Sequence, residues 1–376
     1  MIYFDHAATG LVYPEVLKLE IDAESTFFAN PNSLHQAGYQ AKKALEDARK
    51  KMLNLFGLAS THELVFTSGA TEANNYFCKG VAEGYSNRGR RILTTNAEHP
   101  SIQATMDVLR NKGFDVIEMP VNEEGKLEPS TLEKYIDKNT ILVSIIGVNN
   151  EVGAISDLPA LSKIVKRFPK CFFHSDLTQA IGKVKIDYSC LDAFSFSGHK
   201  FGARKGIGGI VFKKNIHPES LLSGGHQENG YRGGTVNLSG ALGMAKALEL
   251  SLTGIDQKIA NAKELNDYAK NLLLETNLVH INSPKDGCPF ILNFSLDKHK
   301  ASVIIEALSN QGIYLSSVSA CSSKQEPVSH VLLAMNKSHD EASNSIRMSF
   351  GYESSKEQVD AFIKVFTQLL QEVHTR

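Results

Sequence analysis

Five short polar clusters along the chain follow apolar runs, and each contains residue types that carry chemistry. Ser68-Gly69-Ala70-Thr71-Glu72 follows Glu63–Thr67. Small residues opening a helix let backbone N–H groups and a hydroxyl surround a phosphate. Glu98-His99 follows Arg91–Thr95, and Asn149-Asn150-Glu151 follows Ile141–Val148. Asp176 closes Cys171–Ser175, with Gln179 shortly after, and Asp192–Phe196 runs into Ser197-Gly198-His199-Lys200. Each cluster alone has a bland reading: a turn, a helix cap, a solvated lysine.

Together they deliver a phosphate cup, an imidazole, an amide, a carboxylate and a lysine. No nucleotide fingerprint accompanies them, since neither G-x-x-x-x-G-K-[ST] nor a G-x-G-x-x-G after the first strand is present. The cofactor that needs this set is pyridoxal phosphate. Its aldehyde requires a lysine, its ring nitrogen a carboxylate, its ring a flat partner and its phosphate a helix N-terminus with hydroxyls.

The elements that must position these groups can be read from the same runs. Glu63–Thr67, Arg91–Thr95, Phe114–Met119, Ile141–Val148, Cys171–Ser175, Asp192–Phe196 and Ile207–Phe212 are predicted strands. Thr71–Glu83, Ser101–Lys112, Pro129–Lys138 and Leu158–Arg167 are the predicted helices among them. Strands with consecutive apolar residues, separated by helices, predict a largely parallel sheet covered on both faces. In such a sheet ligands bind beyond the carboxyl ends of the strands, where the five clusters fall. Two long helical patterns follow, Asn237–Leu252 and Gln257–Asn277. Shorter alternation then resumes with Phe290–Ser295, Ala301–Asn310, Ile313–Ser316, Ile346–Phe350 and a closing helix Lys356–His374. At 376 residues the chain is long enough for two domains. We expect an α/β fold, with a large domain over residues 12–255 and a smaller α+β domain made of residues 1–11 and 256–376.

With these pieces in place, the chain resembles the fold-type I pyridoxal-phosphate enzymes of the class V aminotransferase group, and within it the cysteine desulfurases. The resemblance is carried by Phe4-Asp5-His6-Ala7-Ala8-Thr9, Asn30-Pro31-Asn32-Ser33-Leu34-His35, Ser68-Gly69-Ala70-Thr71-Glu72 and Val148-Asn149-Asn150-Glu151. It continues through Asp176-Leu177-Thr178-Gln179, Ser197-Gly198-His199-Lys200, Arg232-Gly233-Gly234-Thr235, Ser319-Ala320-Cys321 and Ser345-Ile346-Arg347. The order runs nearly end to end. It implies a transferase fold whose large domain holds a mostly parallel seven-stranded sheet.

The resemblance also implies roles. Lys200 would carry the cofactor covalently and move protons at the substrate's α-carbon. Asp176 would hold the ring nitrogen, His99 would stack on the ring, and Gln179 would bond its phenolic oxygen. Ala70, Thr71, Ser197 and His199 would bind the phosphate, with Thr235 reaching in from the second subunit of a homodimer. Asn150, counted among the cofactor's neighbours, would hold the substrate carboxylate with Asn30 and Arg347. An arginine suits that task because its planar fork grips a carboxylate through two hydrogen bonds. The implied reaction removes sulfur from L-cysteine, giving L-alanine and a persulfide on Cys321. The sulfur passes on to an acceptor protein such as an iron–sulfur scaffold. Selenocysteine lyase, or another class V enzyme acting on a small amino acid, is the alternative activity. A catalytically silent binding scaffold is the alternative of a different class, and its expected signature, a lost lysine or cysteine, is absent.

Cys321 sits in a Ser-rich polar stretch, Leu315 to Pro327, that reads as an exposed loop, with Lys324 near enough to favour the thiolate. Cys78, Cys171, Cys190 and Cys288 lie in or beside apolar runs and read as buried, inert thiols. The five cysteines form neither a C-x-x-C pair nor a disulfide framework. His6, His35, His174 and His226 lie near matched motifs and read as structural; no metal-binding spacing occurs, and no metal is expected. Three departures from the family's pattern stand out: Leu177 in place of the usual Ala, Gly10-Leu11 after the N-terminal motif, and the order Glu326-Pro327-Val328-Ser329-His330. Forty basic and 41 acidic residues leave a net charge of −1, which argues against nucleic acid or an anionic membrane as a main partner. The first residues have neither a basic nor an apolar leader region, so a cytoplasmic location is expected.

Overall fold

The computed structural model describes residues 1–317 and 328–372. After β1 (Ile2–Tyr3), α1 (Pro14–Thr26) and α2 (Gln36–Leu55) come β2 (His62–Thr67), α3 (Ala70–Gly84), β3 (Arg91–Thr95) and α4 (Pro100–Asn111). The chain continues through β4 (Asp115–Met119), α5 (Pro129–Tyr135), β5 (Thr140–Ile146), α6 (Leu158–Val165), β6 (Phe172–Asp176), β7 (Ala193–Ser197) and β8 (Gly208–Lys213). Strands β2 to β8 form one seven-stranded sheet in the spatial order β2-β8-β7-β6-β5-β3-β4. Only β8 runs against its neighbours β2 and β7; the remaining pairings are parallel. All seven predicted strands are present, with ends shifted by one or two residues. Every residue of β5 is buried, as a central strand covered on both faces requires.

Sequence reading missed α1 and α2. Both carried a signal: Pro14 at the start of α1, and buried Ala41, Leu45, Ala48 and Met52 at helical spacing in α2. His35, read as structural, caps α2 by accepting from Gly38 N at 3.2 Å.

The rest of the chain forms α7 (Leu238–Leu252), α8 (Ile255–Glu275), β9 (Val279–Ile281), β10 (Ile291–Leu296), α9 (Ala301–Asn310), β11 (Ile313–Tyr314) and β12 (Ser316–Ser317). It closes with α10 (His330–Ala334), α11 (His339–Ser343), β13 (Ser345–Ser349) and α12 (Lys356–Glu372); His374, the expected end of the last helix, lies outside the described residues. The single strand predicted over Ile313–Ser316 is two strands serving two sheets. β11 pairs in parallel with β1, whereas β12 joins the antiparallel sheet β12-β13-β10-β9. Phe4, from the other end of the sequence, packs in one apolar cluster with Phe294, Ile346, Met348, Phe362 and Phe366. Burying each such side chain contributes roughly 1.5–3 kcal/mol, and this holds the N-terminal segment in place. No helix among the described residues is long and apolar enough to cross a membrane. Cys78, Cys171, Cys190 and Cys288 are buried and unpaired, as expected, and burial pushes their thiols up, Cys78 to about 12.

Candidate active site

The carboxyl ends of β2, β3, β5, β6 and β7 carry the five clusters, and the amino end of the reversed strand β8 comes to the same rim. Gly208 pairs there with both Thr67 and Ser197. A Cβ at Gly208 would stand 2.6 Å from Gly69 Cα and 2.6 Å from Phe196 O, so only glycine lets these backbones meet. This brings Ser197 against the start of α3, a 15-residue helix whose first residue follows Gly69 with no side-chain cap. The first-turn N–H groups of a helix lack internal partners, so Ala70 and Thr71 offer free donors beside Ser197. His199 pairs with Thr9 Oγ1 at 3.1 Å. Burial, then the neighbouring Lys200, hold its imidazole low, at about 4.

Lys200 follows β7 by one short turn, Gly198–Lys200. Its Nζ donates to the carbonyls of Ala7 and Ala8, both at 2.7 Å. Burial, and after it the positive charges of Lys183 and Arg347, lower its pKa to about 7. A neutral amine, the nucleophilic form, is therefore well populated near neutral pH. The Ala7 carbonyl also accepts from Gln179 Nε2 at 2.7 Å, and Gln179 Oε1 accepts from Lys183 Nζ.

Asp176, at the end of β6, is buried and accepts from Asn74 Nδ2 at 2.8 Å and from Thr178 N at 2.9 Å. Asn74 is the centre of a wider network. Its Nδ2 also donates to Ser101 Oγ at 2.9 Å, and its Oδ1 accepts from Ser195 Oγ. Ser101 Oγ pairs with His99 Nδ1 at 2.9 Å, and Ser101 N donates to the same nitrogen at 3.1 Å. With Nδ1 accepting, the neutral imidazole carries its proton on Nε2. Burial holds the His99 pKa below the usual value, so the neutral ring is the resting form.

Arg347, on β13, is buried; its guanidinium donates to Asn150 O at 3.0 Å and to Asp5 Oδ1 at 2.9 Å. Its Nε has no hydrogen-bond partner among the described residues. An unpaired buried donor is costly, and an incoming carboxylate would satisfy it. Lys183 and Arg347 both act on Lys200 with positive charge, opposed by Asp5 and Asp176.

Thr235 and Asn30 are brought together, but elsewhere: both line a separate cavity with Phe28, Pro31 and Asn237. Leu177 is fully buried. Its side chain fills the space that a Cβ at Gly147 would need, at 2.6 Å from Leu177 Cδ2, so the leucine is accommodated by the glycine just past the end of β5. Cys321, Lys324, Glu326 and Pro327 lie outside the described residues. The residues on either side are held near the site. Ser316 pairs with Arg347, Ser329 Oγ donates to Glu151 Oε2 at 2.5 Å, and His330 Nε2 meets Glu98 O at 3.0 Å.

The site includes residues that sequence reading passed over. Asn74, Ser101 and Lys183 are buried and polar on helices or turns with apolar neighbours. That pattern, a polar residue on an otherwise buried face, was the available signal. Of the histidines read as structural, His6 lies 3.4 Å from Glu353, His174 pairs with Ser144 Oγ at 2.9 Å, and His226 lines a cavity with Arg49 and Glu228.

Residues 2–362 match the family described as Aminotransferase class-V. The chain belongs to that family. Members similar to it include a NifS/IcsS protein homolog of Lactobacillus delbrueckii subsp. bulgaricus, 38% identical over 99% of this chain and 97% of that protein. A protein named cysteine desulfurase IscS from Dictyoglomus turgidum is 36% identical over 100% of this chain and 95% of its own length. Among solved structures, a NifS-like protein superposes with a TM-score of 0.92 at 35% identity, covering 99% of this chain and all of that one (100%). The cysteine desulfurase of Thermococcus onnurineus NA1 superposes at 0.87 with 25% identity, over 99% and 95%. This family likeness extends through the small antiparallel sheet as well as the seven-stranded one.

Proposed function

We infer that the chain is a cysteine desulfurase that holds pyridoxal phosphate at Lys200 and passes the sulfur of L-cysteine to Cys321. The observation that carries this reading is the position of Lys200 Nζ, half-buried, with its pKa lowered to about 7, and in one network with Gln179. Asp176, in its own network with Asn74 and His99, stands at the neighbouring strand end.

The residues present fit the cofactor. The uncapped start of α3, Thr71, Ser197 and His199 suit its phosphate, and Asp176 suits its ring nitrogen. His99 suits the ring face, and Gln179 Nε2 is a donor for the phenolic oxygen. When bound, pyridoxal phosphate supplies an electron sink for charge developing at a substrate's α-carbon. The chain's residues do the rest. Arg347 binds the substrate carboxylate with Asn150 and, across the dimer, Asn30, and Lys200 Nζ takes and returns the α-proton. Asp176 keeps a proton on the ring nitrogen, and Asn74 keeps Asp176 in place. The Cys321 thiolate forms a bond to the substrate sulfur as the substrate's carbon–sulfur bond breaks. The bonding pair stays on carbon, which gains a proton, so cysteine and one thiol become alanine and one persulfide. The persulfide sulfur then goes to an acceptor such as an iron–sulfur scaffold protein, in a cytoplasm that keeps thiols reduced.

The active unit in this reading is a homodimer. Thr235 and Asn30 lie apart from their own chain's Lys200 cluster, and Phe28 and Leu34 beside that region are exposed, as residues covered by a partner would be. Residues 12–255 form the larger domain of each subunit and 1–11 with 256–376 the smaller one. The reading is supported by the separate apolar cluster of Phe4 and the C-terminal elements. The test is reconstitution with pyridoxal phosphate. Borohydride trapping should place the label on Lys200, and cysteine should yield alanine in step with persulfide. A label on another lysine, or no alanine, overturns the reading.

A further inference from the structure

We propose that Lys183 is a positioning residue whose ammonium fixes the Gln179 side-chain amide with its NH2 end toward Ala7 and Lys200. This rests on the cofactor reading above and extends it to a residue that reading leaves unused. Lys183 is buried in the turn after β6 and Gln179. An ammonium has only donors, so the oxygen of an amide it bonds must face it. Lys183 Nζ donates to Gln179 Oε1. Gln179 Nε2 is thereby turned to the Ala7 carbonyl, 2.7 Å away, the same oxygen that Lys200 Nζ approaches to 2.7 Å. Without Lys183 both orientations of the amide become available, and one of them presents an acceptor where a donor is needed.

The charged and titratable surroundings agree with this arrangement. Burial, then the charge of Lys183, then that of Arg347 lower Lys200, while Asp5 and Asp176 oppose them. Lys183 is itself lowered, to about 8, by burial; the Cys288 thiol raises it and Arg347 lowers it. His6 and Glu353, 3.4 Å apart, line the same cavity as Lys183 and Lys200, and His199 also feels the Lys183 charge. Removing Lys183 takes away a positive neighbour and a fixed donor together, and both changes favour a proton remaining at Lys200.

The experiment is a pH titration of the visible band of protein-bound pyridoxal phosphate in wild type, Lys183→Met, Gln179→Met and the double variant. Lys183→Met should raise the midpoint by about half a pH unit or more. The rise should be smaller in the Gln179→Met background, since Lys183 acts partly through that amide. An unmoved midpoint, or an equal rise in both backgrounds, overturns the proposal. Should Lys183→Met fail to fold, Lys183→Gln takes its place, because a neutral amide no longer dictates which end of Gln179 faces Ala7. A raised midpoint then supports the proposal and an unmoved one overturns it. A wild type that takes up no pyridoxal phosphate overturns the cofactor reading and this proposal with it. Uptake with unmoved variants overturns this proposal alone.

Discussion

Asp5 Oδ1 lies 2.9 Å from an Arg347 guanidinium nitrogen, joining residues 342 positions apart in the sequence. Asp5 is held by its bridge to Ser349, and Arg347 lies on the same short strand, β13. The guanidinium is thus oriented before any substrate arrives, with Asn150 O as its second acceptor. Preorganisation of this kind reduces what binding must spend on ordering a long side chain.

Arg347→Ala should weaken cysteine binding while leaving cofactor in place. A hydrogen bond to a charged group is worth about 1.5–3 kcal/mol, roughly ten- to a hundredfold in affinity. Asp5→Asn should raise KM by a smaller factor. Unchanged cysteine affinity in Arg347→Ala, from steady-state kinetics and equilibrium spectra, would remove the carboxylate role.

Lys200→Ala should bind no cofactor covalently and turn over no cysteine. Mass spectrometry after borohydride treatment checks this directly: wild type gains the reduced cofactor on one peptide, and the variant gains none.

The rate at which the cofactor-free protein takes up pyridoxal phosphate should rise with pH and level off above about 7, where burial and Lys183 leave the Lys200 amine neutral. The sign follows from the direction of the shift. Below the lowered pKa the amine is protonated and cannot attack an aldehyde. A profile still climbing steeply toward pH 10 would mean that Lys200 behaves as an exposed lysine.

Arg49→Ala should destabilise the protein by about 3–5 kcal/mol, the usual cost of leaving one partner of a buried ion pair alone. Arg49 and Glu228 meet at 2.8 Å with the carboxylate almost wholly buried, and Glu228 also accepts from Phe66 N at 2.7 Å. Urea unfolding of wild type and variant measures the loss. A change under 1 kcal/mol would mean that water reaches the pair.

Cys321→Ala should separate cofactor binding from sulfur transfer. Lys200, Asp176, His99 and the phosphate-binding residues remain, so the variant should take up pyridoxal phosphate and bind cysteine with a spectral change. It lacks the thiol that receives sulfur, so neither alanine nor persulfide should accumulate. Selenocysteine is the control, because its weaker carbon–selenium bond can break without that attack. Wild-type turnover of cysteine by this variant would make the thiol incidental and favour a lyase.

Much of the site was legible because strand ends are local features. A run such as Arg91–Thr95 followed by Glu98-His99 is contiguous, and the residues after a parallel strand must reach the rim. Asn74, Ser101 and Lys183 were not legible in this way. Each sits inside or just beyond a helical or turn segment where nothing nearby in sequence marks a partner, and each meets its partner only through packing: Asn74 reaches Asp176 across 102 positions. The helices α1 and α2 were missed for a different reason. Their apolar positions include Ala23, Ala41 and Ala48, small residues that weaken a periodic signal while allowing close packing.

By itself the sequence determined the seven strands of the large sheet, the α/β class, the lysine, carboxylate and imidazole of the candidate site, and the family resemblance, because periodicity and short motifs are written within a few residues. Tertiary structure alone decided that β8 is reversed, that Gly208 meets Gly69, and that Ile313–Tyr314 and Ser316–Ser317 serve two sheets. It also decided that Asp5 and Lys183 stand behind Arg347 and Gln179. Those relations depend on which surfaces bury each other and which donor finds which acceptor once water is excluded, and neither is fixed by neighbours along the chain.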